Sequence, residues 1–315
     1  MNVLEKSEQI VFSYRDRKIL DGISMDIRKG EILGVLGPNG CGKTTFIKHL
    51  NKNLVPDSGR VVLLDSDLSE MSKKDIARTV SSVPQGNEIR FTFTVREIVA
   101  MGRMPFQDRF SPESREDRDI IENAIEMTNL TDYKGRYINE LSGGERQRVI
   151  IARALAQSPE IILMDEPTLH LDVCMQFDVL NLVQKLSREQ GLTVVIVSHD
   201  LGMVARYCDR IVMMHDRRVL CEGTPQDVLT PENMRAVFNV DAELIYDGKI
   251  GRNTVLLHDS CGNVDRRRDA PIAWMTWATR KRIGSDAGCR WNREPLRTAP
   301  YGRMNLPYSV SASAT

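Results

Sequence analysis

The sequence predicts an α/β chain built on a parallel sheet, and two observations carry that prediction. Apolar runs of strand length recur along the chain: EILGVLG at Glu31 to Gly37, IILMDE at Ile161 to Glu166 and LTVVIVSHD at Leu192 to Asp200. Stretches of helical spacing separate them, TTFIKHL at Thr44 to Leu50 and FDVLNLVQKLSREQ at Phe177 to Gln190. Strand and helix in alternation are the rhythm of parallel strands joined by crossovers. A short antiparallel β segment, Gln9 to Ile27, leads into the first run, and RVVLLD (Arg60 to Asp65) and VSSVPQ (Val80 to Gln85) supply further strands. From about Thr94 to Ala156 the pattern is helical, with SPESREDRDIIENAIEMTNL reading as an amphipathic helix after Pro112. DRIVMMHDRRVLCEG, Asp209 to Gly223, reads as a hairpin with a polar turn at Asp216 to Arg218.

Between the first strand and its helix lies GPNGCGKTT, Gly37 to Thr45. Glycines at 37, 40 and 42 let successive backbone N–H groups turn inward around phosphates, and the helix N-terminus adds partial positive charge. Lys43 is expected on the β- and γ-phosphates and the Thr44 hydroxyl on Mg²⁺, with Pro38, Asn39, Cys41 and Thr45 completing the cradle. By average composition this pattern arises by accident in roughly one per cent of chains of this length. A plain glycine-rich turn is the competing reading, and the acids downstream weaken it further.

Asp165 and Glu166 end the strand IILMDE, and alternation sends neighbouring side chains to opposite sides, so the two carboxylates are expected to do different jobs. Asp165 is assigned to Mg²⁺ and Glu166 to polarising an attacking water. Two solvated acids at a strand end are the alternative. His199 ends a strand in the same way and is expected on the γ-phosphate, against the blander reading of a satisfied structural histidine.

LSGGERQ, Leu141 to Gln147, opens a helical stretch whose apolar residues Val149, Ile150, Ala154 and Leu155 share one face. Ser142 followed by Glu145 has the form of a capping box, so a good helix start explains part of it. Gly143 and Gly144 cost helix stability but let a phosphate approach the backbone closely. A phosphate loop and a strand-end acid pair suffice for one nucleotide, so a second phosphate-binding element in the same chain points to a dimer.

In that order, GPNGCGKTT, LSGGERQ, ILMDEPT and the serine–histidine of VSHD resemble the ATP-binding cassette of ABC transporters over about the first four fifths of the chain. The resemblance implies a P-loop NTPase RecA-like core with a parallel sheet, an N-terminal antiparallel β subdomain and an inserted helical subdomain at about 94–156, all within 1–260. It implies ATP and Mg²⁺, and two cassettes paired head to tail. Lys43 and Thr44 then hold ATP in cis, while Ser142 and Gly144, with Gly143 between them, reach the γ-phosphate of the ATP on the partner. Gln85 matches the glutamine that senses Mg²⁺ and the attacking water, Tyr14 in FSYRDRKIL the aromatic that stacks on adenine, and Leu171 and Asp172 the loop that crosses the dimer interface. Cys41 replaces the more usual serine, and a thiol beside a helix N-terminus is expected to ionise easily and to react with alkylating reagents. His170, in TLHLD, is expected at the interface and not on a metal.

FTFTVREIVAMGRMPF, Phe91 to Phe106, resembles the importer ATPases for iron–siderophore, haem and cobalamin complexes. That resemblance implies transmembrane permease subunits, a separate substrate-binding protein and a peripheral place on the cytoplasmic face of the cell membrane, without specific nucleic-acid binding. Phe91, Phe93, Val95, Met101, Met104 and Phe106 form a candidate apolar groove for a permease helix. A soluble cassette ATPase of translation or DNA repair is the alternative, but this chain has neither a tandem cassette nor a long coiled-coil insertion. A non-hydrolysing regulatory cassette conflicts with the presence of Glu166 and His199.

The composition agrees. No run of about 18 apolar residues is present, and the six cysteines are scattered without CxxC spacing, which suits a reducing compartment. Lys+Arg and Asp+Glu balance at 43 each. The segment 261–315 departs from this, with all three tryptophans and a net charge of roughly +6 by residue count. It is expected to be a basic, disordered tail; binding of anionic lipid or nucleic acid through Arg266 to Arg268 and Arg280 to Arg282, or an extension unused by the cassette, are the other readings.

Overall fold

The computed structural model describes residues 2–86, 92–107, 112–248 and 252–258. Phe91 and the basic segment 261–315 lie outside the described residues.

Two long strands open the fold, β1 (Val3–Tyr14) and β2 (Arg17–Arg28), joined by a two-residue turn and paired antiparallel. The antiparallel segment is therefore longer at both ends than the sequence suggests. It is completed by β4 (Ser58–Leu63) and β5 (Ser66–Asp67), so RVVLLD belongs to this outer sheet, in the order β2-β1-β4-β5.

The central sheet has the order β10-β9-β3-β8-β7-β6, with β3 (Ile32–Leu36), β6 (Val80–Val83), β7 (Ile161–Asp165), β8 (Thr193–Ser198) and β9 (Arg210–His215) parallel. β10 (Arg218–Gly223) is an antiparallel edge strand. Its hairpin turn is Asp216–Arg217, both with positive φ (44° and 69°), so Arg218 already pairs with His215 and the turn is one residue shorter than expected. Each inner strand divides its residues between two cores. Ile32, Ile162, Met164, Val194, Ile196, Ile211 and Met213 face one cluster, and Leu33, Val35, Ile161, Leu163, Val195, Val197, Val212 and Met214 the other. Burial on both faces is why these strands read as continuous apolar runs and not as alternating ones.

Helix α1 (Lys43–Leu50), α2 (Lys73–Thr79) and the outer sheet cover the second face. The first is covered by α3 (Val95–Ala100), α4 (Arg115–Met127), α5 (Gly143–Ala156), α6 (Val173–Gln190) and α7 (Leu201–Tyr207). Short helices α8 (Pro225–Val228) and α9 (Pro231–Phe238) and the hairpin β11 (Asp241–Asp247) and β12 (Arg252–His258) complete the described chain. Among the described residues no helix is long and apolar enough to cross a membrane.

The helical insertion is fastened at MGRMPF. A side chain at Gly102 would meet the Arg153 carbonyl at 2.2 Å, so only glycine lets this turn lie against α5. Arg103 is buried; its Nε donates to Asp117 Oδ1 at 2.7 Å and another guanidinium nitrogen to the Ala156 carbonyl at 2.9 Å. The candidate apolar groove is accordingly smaller than expected. Val95 is 0% exposed and Phe93 packs on the core, whereas Met104 (66%) and Phe106 (37%) are the exposed members among the described residues, and Phe106 lies 3.9 Å beneath the Arg103 guanidinium. A β-branched side chain at the first turn of α3, inside a capping box formed by Thr94 and Glu97, packs inward with the helix.

Two groups on the second face are unusually placed. Glu5 on β1 is fully buried between the backbone partners Ile27 and Leu63, and among the described residues neither carboxyl oxygen has a hydrogen-bond partner. Burial alone pushes its pKa well above the ordinary value. Cys41, expected to ionise easily, is 7% exposed, and burial raises its pKa against the smaller pull of Lys43 and the loop amides. The loop turns the thiol into the core, which is the opposite of the reactive setting the sequence suggested.

A carboxyl whose folded pKa is raised favours folding when protonated, so its contribution worsens as pH rises through and above the ordinary carboxylate range. Glu5→Gln is expected to stabilise the protein by about 1–3 kcal/mol at pH 8 and hardly at all at pH 4, measured by urea denaturation at both values. N-ethylmaleimide at pH 7.5 is expected to label exposed Cys174 quickly and Cys41 only on unfolding, read by peptide mass mapping; rapid labelling of native Cys41 would contradict its burial.

Candidate functional site

The parallel register brings three strand ends to one edge. Leu36 lies opposite Ser198, and Asp165 opposite Val197, so β3, β8 and β7 release their chains side by side. The phosphate loop leaves β3 there, His199 leaves β8 and Glu166 leaves β7.

The loop's conformation requires all three of its glycines, for different reasons. Gly40 has φ +80° in open space, a backbone state that side chains resist. Gly42 caps α1 with φ +104°, and a Cβ there would stand 2.7 Å from Leu20 Cδ2 and 3.0 Å from the Ile19 carbonyl. Gly37 has no room either, since the Met214 carbonyl would be 2.3 Å away. The loop is therefore wedged between β2 and β9.

Asn39, Gly40, Gly42, Lys43, Thr44 and Thr45 line an open cleft of about 370 Å³, with Gln85 and Glu166 on its other wall. Lys43 is 6% exposed, and its Nζ donates to the carbonyls of Gly37 (2.7 Å) and Pro38 (3.1 Å), which curls the loop around the ammonium. Thr44 Oγ1 donates to Asp165 Oδ1 at 3.1 Å. Burial pushes the Asp165 carboxyl above its ordinary value, while the bond from Thr44 and the lysines 43 and 48 pull it down. Such a carboxylate is short of countercharge.

Glu166 departs from the strand with φ +49°, a left-handed state rare for glutamate, and its amide is held by the Val197 carbonyl at 2.9 Å. That kink separates the two acids: Asp165 turns toward Thr44 and Glu166 into the cleft. The Glu166 side chain is 9% exposed, and its Oε1 lies 2.8 Å from Nδ1 of half-exposed His199. The histidine thus orients the glutamate in this arrangement. Tyr14 stands exposed at the end of β1, edge-on to Phe12 at 4.8 Å, on the ribbon that abuts the loop at Gly42.

Ser142, Gly143, Gly144 and Asp172 do not join this cleft. They form a separate unit. Ser142 caps α5, its hydroxyl accepting from the Glu145 amide (3.3 Å) while its own amide donates to Glu145 Oε2 (2.7 Å). Asp172 caps α6 by accepting from the Met175 amide at 2.9 Å. A Cβ on Gly144 would meet Met175 Sδ at 2.4 Å, and one on Gly143 would touch Leu171 at 3.4 Å. A Cβ at Gly144 would therefore displace the Met175 side chain, and the backbone of Gly144 is what remains to meet a ligand. Ser142, Gly143, His170 and Asp172 are exposed, and His170 takes φ +67°.

Two cleft residues escaped sequence reasoning, Arg17 and Ile19 of β2. Their position just after Tyr14 in a hairpin was the available signal.

Residues 20–169 match the family described as ABC transporter. The chain is 40% identical to the iron(3+)-hydroxamate import ATP-binding protein FhuC of Bacillus subtilis (strain 168) over 263 residues, 84% of this chain and 97% of that protein. Among solved structures, a metal-chelate type ABC transporter in an inward-facing conformation matches with a TM-score of 0.72 at 28% identity, over 82% of this chain and 99% of that one. The dimeric post-hydrolysis state of the ATP-binding cassette MJ0796 bound to ADP and Pi matches with a TM-score of 0.61 at 30% identity, over 70% and 98%. The chain belongs to the ABC transporter family, as an ATP-binding cassette of the kind that hydrolyses ATP.

Proposed function

We propose that this chain is the ATP-hydrolysing subunit of an importer for a metal chelate of the iron–siderophore, haem or cobalamin class. It would work as a pair of cassettes seated on transmembrane permease subunits at the cytoplasmic face of the membrane, with a separate substrate-binding protein in the complex. The observation that carries the dimer is the separation of two phosphate-binding elements within one chain. The cleft at Lys43 and the exposed serine–diglycine turn at Ser142 belong to different units, so a second copy supplies what each lacks. Similarity to a hydroxamate import ATPase and to a metal-chelate transporter supports the cargo class. Exposed Met104 and Phe106, on a turn pinned to α4 and α5, support a docking surface for the permease.

The roles derive from position. The loop amides and Lys43 hold the phosphate chain, and Tyr14 offers an aromatic face to the adenine. Thr44 and Asp165, with Gln85 nearby, fit a magnesium ion, because Lys43 and Lys48 only partly offset the burial of the carboxylate and the hydroxyl already lies beside it. Magnesium bound there supplies positive charge to the terminal phosphates. Glu166 accepts a hydrogen bond from the attacking water and aligns it with the γ-phosphorus, while His199 keeps the glutamate aimed into the cleft. Water bonds to the γ-phosphorus as the bond from that phosphorus to the bridging oxygen breaks; ADP leaves with that oxygen, and the water's proton passes to Glu166. From the partner, the hydroxyl of Ser142 and the α5 N-terminus bind the γ-phosphate, so ATP closes the pair and hydrolysis loosens it.

Glu166→Gln keeps the hydrogen-bonding shape but accepts the water's proton poorly. It is expected to bind ATP, lose at least a hundredfold in turnover and accumulate as a dimer on sizing in ATP. A monomer under those conditions would contradict the proposal.

A further inference from the structure

Arg17 opens β2 directly opposite Tyr14, across the turn Arg15–Asp16. It is exposed, and among the described residues its side chain makes no hydrogen bond, ion pair or ring contact. Its neighbours are engaged: Lys18 Nζ donates to Asp21 at 2.9 Å, and Arg218 pairs with the same carboxylate. Lys43 is folded into its own loop. Arg17 nonetheless lines the phosphate cleft, and it also borders the depression on the loop's outer flank beside Asn39 and Gly40. The ribbon carrying it is fixed against the loop, because Leu20 and Ile19 fill the space a side chain at Gly42 would need.

Directly paired residues of an antiparallel ribbon put their side chains on one face, about 5 Å apart. Tyr14 and Arg17 therefore present an aromatic platform and a guanidinium side by side, at the entrance to a phosphate cradle. In a nucleotide one ribose separates the base from its first phosphate. We propose that Arg17 binds the α-phosphate of the nucleotide whose base rests on Tyr14, making the β1–β2 hairpin a clamp for the base and first phosphate. This rests on the assignment of the cleft as the nucleotide site and deepens it. A guanidinium bonding a phosphate oxygen is a charge-assisted hydrogen bond with a planar fork suited to that anion. Because the α-phosphate is common to AMP, ADP and ATP, the contact serves all three alike and does not sense the γ-phosphate.

Calorimetric titration of the full chain with AMP, ADP and ATP, at low and moderate salt, tests this. Arg17→Ala is expected to weaken all three by the same factor, about tenfold, to flatten the salt dependence, and to leave the melting temperature unchanged. Arg17→Lys is expected to recover part of the loss. ADP affinity within twofold of the parent would overturn the proposal, as would a loss confined to ATP, which would put the arginine on the γ-phosphate. Lys43→Ala and Tyr14→Ala separate the two levels. If they lose ADP and Arg17→Ala does not, the arginine's role alone falls; if they also keep ADP, the cleft is not the nucleotide site and both readings fall.

Discussion

The register of the parallel strands is the constraint on which the site depends. Since Leu36 pairs with Ser198 and Asp165 with Val197, a shift of one residue in either pairing would turn every core side chain to the wrong face. The division of each strand between two apolar clusters forbids such a shift. The same packing that fixes the register therefore fixes where the phosphate loop, the two acids and the histidine meet. At the opposite end of the sheet, buried Arg210 ties Glu31 at 2.8 Å to Glu222 at 3.1 Å and closes that edge with an ion network. One end of the sheet is locked and the other carries the candidate site.

Against this fixed edge, the two candidate phosphate-binding elements differ in how they are held. The cleft is wedged into the fold by Leu20 and Met214, with Lys43 and Cys41 buried. The serine–diglycine turn is packed on the start of α6 through Met175 and Leu171, and it faces outward with Asp172 and His170. A ligand shared between such elements gains from both only when two molecules meet. In the proposed pair its charge would be neutralised by a helix N-terminus from each side, and the contact would be lost when the terminal phosphate leaves. In that proposed pair, a local change at one phosphorus would thereby become a movement between subunits.

Much of this was legible because it is written in local spacing. The phosphate loop, the acid pair and the capping box of Ser142 and Glu145 are defined by neighbours in sequence, and the structure places them at strand ends and helix starts as the pattern implies. What escaped depends on contacts between distant segments. Cys41 sits in a loop that favours anions, yet its side chain turns into the core. Val95 belongs to an apolar run that continues to exposed Met104, and only the docking of α3 on α5 decides which residues are covered. Gly144 suggests a phosphate by its position, but Met175 supplies a packing reason that no periodicity reveals. Arg17 carries no motif and becomes visible only when β2 is laid beside the loop.

The sharing of each nucleotide between two chains is tested most directly by mixing two inactive variants, Lys43→Ala, which lacks the cradle, and Ser142→Arg, which blocks the facing turn. In a mixed pair, one site carries both defects and the other carries neither. Single-turnover ATP hydrolysis by the mixture is predicted to rise well above that of either variant alone. A mixture no more active than its components, with both variants folded, would contradict the account.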